Sequence, residues 1–202
     1  MQRAIARTVS VILHPLIMPA IGLLLLLNSG TYLEFLTFPQ KRAIFLILLI
    51  GTTLLPLTLI PVIILQRNKA GLAMESHRER VMPMFITVIF YGFTWHMLSR
   101  LNVPSLISTY AITGTVTLLV CSLVTFRWKI SLHMTAQGAL AGAILAVAFR
   151  HGVNLQVYLS LLFLCGGLTG WSRLKLGAHT PAQIYVGYLT GLAIAFLLMF
   201  NF

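Results

Sequence analysis

Seven apolar stretches occupy most of this chain, at 9–27, 43–65, 84–98, 105–126, 132–149, 153–171 and 181–200. A helix needs about 20 mostly apolar residues to cross a bilayer core, so 202 residues hold roughly six or seven spans, short loops and no soluble domain. Composition agrees: 58% of the side chains are hydrophobic and 8% are charged, where a soluble domain carries about 25% charged residues. The expected fold class is therefore an all-α polytopic membrane protein, a bundle of six to seven transmembrane helices forming a single integral domain over 1–202. The third stretch is the shortest, and the first contains Pro15 and Pro19. That first stretch is too long and too proline-broken for a signal peptide, so it reads as a retained span or a re-entrant segment.

The charges exclude several kinds of chemistry. Against 14 Lys and Arg stand only three acids, Glu34, Glu75 and Glu79, with no aspartate. Paired-carboxylate catalysis would have to use Glu75 with Glu79, and a carboxylate cage for calcium or magnesium has no ligands to draw on. No metal or other cofactor is expected. The net charge of +11 comes from basic residues placed in loops beside apolar spans, which favours anionic headgroups or phosphate over nucleic acid. Cys121 and Cys165 lie inside apolar runs and read as packing residues. Gly138 with Gly142 and Gly187 with Gly191 are small-xxx-small pairs that let helices approach closely. Trp95, Trp128 and Trp171 fall near span ends, as an interfacial belt requires.

Three loops gather the polar residues. The first of them, 66–83, carries Arg67, Lys69, Glu75, Ser76, His77, Arg78, Glu79 and Arg80. The second carries Arg127, Lys129, Ser131 and His133, and the third Ser172, Arg173, Lys175 and His179. Two spans separate each loop from the next, so all three emerge on one face and can converge. Basic side chains, hydroxyls and histidines gathered at an interface make an anion site with acid–base capacity, and phosphate fits that inventory. Thr180 and Pro181 after His179 are helix-start residues, and a helix N-terminus there would offer backbone N–H donors.

These residues resemble the motifs of the type 2 phosphatidic acid phosphatase superfamily. The family's third motif is Ser-Arg, five residues, His, three residues, Asp; here Ser172-Arg173 is followed at that spacing by His179 and then by Gln183 in place of Asp. The second motif, Pro-Ser-Gly-His, is matched by Ile130-Ser131-Leu132-His133, which keeps the Ser and His and lacks the Pro and Gly. The first motif is matched least: Arg80 lies three residues before Pro83, and the nearest upstream lysine, Lys69, is out of register. The resemblance runs from about residue 66 to the C-terminus. It implies an acid phosphatase/haloperoxidase-like helical core and a metal-independent phosphatase or phosphotransferase acting on a lipid phosphate. In that chemistry His179 attacks phosphorus, His133 protonates the leaving oxygen, and water cleaves the phosphohistidine. Arg173, Ser131, Arg78, Arg80, Lys129, Lys69 and Ser172 become the expected phosphate ligands. Gln183 can orient His179 but cannot neutralise it.

The alternative is a catalytically silent family member that binds or transports an anionic lipid headgroup. His14, His96 and His151 read as structural or interfacial histidines, and His77 as a loop residue within reach of the site. Lys41, Arg42, Arg100 and Arg150 lie on the face opposite the site loops, and the other ten of the 14 basic residues lie on the site face. The positive-inside rule assigns that richer face to the cytoplasm, whereas lipid phosphatases of this family face the other way. The expected partners are the bilayer and a lipid phosphate or anionic lipid, in a bacterial inner membrane.

Overall fold

The computed structural model describes residues 1–67 and 77–201, with the backbone alone for 66–67 and 77–80. Among these residues the chain is helical, without strands, and six helices are long and apolar enough to cross a membrane. The elements are α1 (Gln2–Ile12), α2 (Met18–Leu27), α3 (Phe38–Leu49), α4 (Leu55–Arg67), α5 (His77–Arg100), α6 (Ser105–Thr125), α7 (Leu132–His151), α8 (Gln156–Lys175) and α9 (Pro181–Asn201). A π-helical turn, Ile50–Leu54, joins α3 to α4 into one span, Phe38–Leu65. The turn precedes Pro56, which lacks an N–H to continue the regular ladder, and Thr52 Oγ1 donates to the Leu48 carbonyl at 2.7 Å.

The first apolar stretch does not form one span. The chain turns at His14–Ile17, where Pro15 removes a backbone donor, and Pro19 falls in the first turn of the next helix, so that α1 and α2 result. At 10 residues α2 is about 15 Å long, half of a ~30 Å core. It nevertheless runs between the two ends of the bundle. Ser10, in the helix before it, contacts His133 at the start of α7, and the Asn28 carbonyl after it accepts from Tyr158 Oη near the start of the oppositely directed α8. The third stretch is longer than its apolar run indicated, because α5 starts in the basic segment and covers 24 residues.

Parallel helices α7 and α9 form the most extensive contact, and glycines are the reason. A Cβ built on Gly138 would lie 2.0 Å from the Tyr188 carbonyl oxygen, one on Gly142 2.3 Å from that of Leu192, and one on Gly191 2.1 Å from that of Thr135. The two small-xxx-small pairs of the sequence thus face one another. Backbones this close gain dispersion contacts that lipid cannot supply. The consequence is positional: both helices begin at the same end of the bundle, where the Ser131 N–H donates to the Gln183 carbonyl at 3.4 Å.

Gly191→Ala should therefore lower the thermal unfolding midpoint in detergent by an amount equivalent to about 1–3 kcal/mol. Gly167→Ala is the control, since nothing lies within 4 Å of its added Cβ. Its midpoint should stay or rise slightly, because alanine is the better helix former.

Candidate functional site

The shared starting end of α7 and α9 brings together residues far apart in sequence. His14, Lys129, His133, Arg173 and His179 all line one cavity of about 380 Å³. Two helix N-termini, those of α7 and α9, contribute partial positive charge at the same end. The cavity then continues inward between α5, α6, α7 and the α1–α2 turn, past Thr125, Cys121, Thr117 and Thr113 to Tyr110 and Tyr91. Beyond the entrance the lining carries no charged side chain.

Histidine 179 has a defined tautomer. Gln183 Oε1 lies 3.1 Å from His179 Nδ1 and also accepts the Thr180 backbone N–H at 3.1 Å. A backbone N–H can only donate, so the amide presents its oxygen, and His179 Nδ1 must carry the proton it shares with that oxygen. The lone pair is left on Nε2, the nitrogen a nucleophile needs. Gln183 is held in return by its own N–H, which donates to Thr180 Oγ1 at 3.4 Å.

His133, in the first turn of α7, is bound by the N-terminal helix. Its Nε2 lies 3.1 Å from the Ser10 carbonyl and 3.3 Å from Ser10 Oγ. The carbonyl accepts only, so Nε2 carries the proton in the neutral ring. Arg173 Nη1 donates to the same Ser10 Oγ at 2.7 Å, and Ser172 Oγ donates to the Ala6 carbonyl at 2.6 Å. Helix α1 therefore straps together the two family-like motifs. Ser172 is buried beneath α1 and does not line the cavity, and neither does Ser131, which is fully buried with no partner for its hydroxyl.

Of the remaining expected ligands, Lys129 lines the cavity. Lys69, Glu75 and Ser76 lie outside the described residues, and Arg78, Arg80, Glu79 and His77 are placed by backbone alone in the first turn of α5. Glu34, the one acidic side chain described, accepts the Gly30 N–H at 2.9 Å at the opposite end of the bundle. Among the described residues no group of His, Cys, Asp and Glu is arranged to hold a metal ion.

Sequence reasoning missed Ser10 and set His14 aside. The His14 ring packs edge-on against His133, with ring centroids 5.5 Å apart, and its Nδ1 accepts the Leu16 N–H at 3.3 Å. A signal for α1 was present: Ala6 and Ser10 are small residues four apart and buried, while Arg3 and Arg7, also four apart, are exposed. His96 and His151 stay outside the cavity, and His151 packs on Tyr32 at the opposite end.

The fold and this site define an integral membrane protein of six long helices, with a cationic, histidine-containing cavity opening at one end. No family model, no curated protein and no solved structure matches the chain.

Burial holds the His14 pKa below its ordinary 6.5, and the nearby Arg173 charge lowers it further. Unfolded protein then binds more protons than folded protein once pH falls through 6.5, so stability should decline with acidification in that window. A denaturation series from pH 8 to pH 5 checks this, and His14→Gln should flatten the decline.

Proposed function

We propose that this protein is a lipid-phosphate phosphatase or phosphotransferase of the type 2 phosphatidic acid phosphatase kind, built on that superfamily's helical core and working through a phosphohistidine. The observation that carries the reading is the His179–Gln183–Thr180 arrangement at the mouth of a cavity with a cationic entrance and an apolar interior. A phosphate at that entrance meets Arg173 and Lys129 and the start of two helices, a setting that stabilises anionic oxygens. An attached hydrocarbon chain has the interior available to it.

In this reaction Nε2 of His179 donates its lone pair to phosphorus while the bond from phosphorus to the lipid oxygen breaks. Nδ1–H stays on Gln183 Oε1. The imidazolium form of His133 gives its proton to the leaving oxygen. Neutral His133 then takes a proton from water as that water's oxygen attacks phosphorus, the phosphorus–nitrogen bond breaks, and phosphate leaves. Most of the acceleration in such a transfer comes from positioning and charge stabilisation, which basic side chains supply.

Gln183 also favours a second reading, a silent lipid-phosphate binder. A glutamine fixes the histidine tautomer but adds no negative charge to offset the phosphohistidine cation. In a serine-protease triad, replacing the orienting aspartate by its amide costs about 10⁴ in turnover through the wrong tautomer. Here the tautomer is correct, so the handicap is the missing charge alone and is smaller.

Purified protein offered a panel of phosphatidic acid, phosphatidylglycerol phosphate and polyprenyl pyrophosphate without added metal should release phosphate from at least one of them, and His179→Ala should release it from none. Gln183→Asp should raise turnover by about tenfold or more, within the 10⁴ bound of the protease comparison. Equal release by wild type and His179→Ala on every substrate would sink the enzymatic reading. Saturable binding without release would establish the silent one.

A further inference from the structure

The cavity is deep but not wide, and its floor is fixed. Its lining on α6 runs from Thr125 to Tyr110, about 22 Å at 1.5 Å per residue, and on α7 from His133 to Ala143, about 15 Å. That depth is about half to three-quarters of a ~30 Å hydrocarbon core. Its volume of about 380 Å³ lies at the small end of the range for single-ligand pockets. A cavity of that size and length matches one hydrocarbon chain better than two acyl chains of ordinary membrane length.

Tyr110 cannot swing away from the floor easily. Its hydroxyl donates to the Pro19 carbonyl at 3.1 Å. It also occupies the space above Gly22, where an added Cβ would sit 1.9 Å from the Tyr110 oxygen. Tyr110 is the residue of α6 furthest from the site end in the cavity lining, and Leu23, Leu98 and Ile107 share its buried core cluster.

We infer that this slot takes a single hydrocarbon chain, inserted from the site end and stopped by Tyr110, so that the protein selects single-chain lipid phosphates over two-chain ones. The inference rests on the lipid-phosphate reading for the headgroup and adds the class of tail. It makes Tyr110 a specificity-determining residue, set by α6 and locked by α2. The slot's charge distribution decides the direction of entry. Lys129, Arg173 and the histidines stand at one end, and the other end offers only aromatic and aliphatic contact beside threonines, so the anionic end of an amphiphile stays at the mouth.

The test needs no turnover. Protein in phosphatidylcholine nanodiscs is irradiated with dodecyl phosphate carrying a terminal diazirine, and the adducts are mapped by mass spectrometry. Adducts should fall on Tyr110, Tyr91 or Leu48 and be competed by unlabelled dodecyl phosphate. Thr117→Leu narrows the slot midway and strands no hydrogen-bond partner, and its unfolding midpoint is measured beside the wild type to show that it folds. It should reduce floor labelling by about tenfold, because the added carbons stand in the path of the chain and fitting the chain past them costs strain. A dioleoyl phosphatidic acid probe with a diazirine at one chain end should label lipid-facing Leu123, Phe126 or Ile89 instead. Dodecyl labelling confined to those exposed residues would overturn the slot, as would equal floor labelling by the two-chain probe. Floor labelling that survives Arg173→Ala and excess inorganic phosphate would support the slot while removing the phosphate headgroup reading, so the two can fail separately.

Discussion

The close approach of α7 and α9 is the constraint on which the rest of the structure depends. Four glycines, two on each helix, let the backbones meet where side chains would hold them apart. In a bilayer this contact cannot be driven by burying apolar surface from water, since lipid is as apolar as the helix, so close packing has to do it. Because the helices run parallel, the contact aligns their first turns and places His133 and His179 around one opening. The site is thus a consequence of a helix–helix register, not of a loop conformation. A register defect at Gly191 should be felt at His179, which lies twelve residues earlier, just before the start of the same helix.

The strap formed by α1 complements that register. α7 and α9 fix the two histidines, but Arg173 sits at the end of α8, which touches α9 only lightly. Ser10 and the Ala6 carbonyl supply the missing tie by bonding Arg173, His133 and Ser172 together. An isolated helix of 11 residues is marginal in water, so α1 owes its order to this docking. The same contacts that position the site also occupy it. In the proposed reaction an incoming phosphate competes with Ser10 for Arg173.

The helical spans were legible in the sequence because apolar runs of bilayer length have few other uses. Six of the seven runs correspond to the six long helices, and the seventh departs because Pro15 and Pro19 leave carbonyls that no regular helix can bond. The spacing from Ser172-Arg173 to His179 and Gln183 was legible for a similar reason: i, i+4 on a helix start places a ring and an amide side by side. Ser10 was not legible. Its partners are 123 and 163 residues away, and nothing local in Thr8-Val9-Ser10-Val11 marks a carbonyl as destined for a distant imidazole. The cavity was equally hidden, since its wall alternates threonine, glycine and leucine along α6 in a pattern that reads as ordinary span.

Gln183 brings these strands together. A chain with three acids against 14 Lys and Arg has few carboxylates to set against a phosphate dianion in the competition for its cations. The same scarcity removes the charge that would stabilise a histidine becoming cationic as it bonds to phosphorus. Only interactions stronger in the transition state than in the bound ground state accelerate the step. In the proposed reaction the arrangement would therefore weight binding over turnover: the Gln183 carbonyl fixes the tautomer of His179, a contribution of orientation, while the electrostatic part would fall to basic groups that grip substrate and transition state alike. A narrow chain slot has the same character, since tail contacts are made equally before and during the reaction. Such a protein would hold its lipid tightly and convert it slowly.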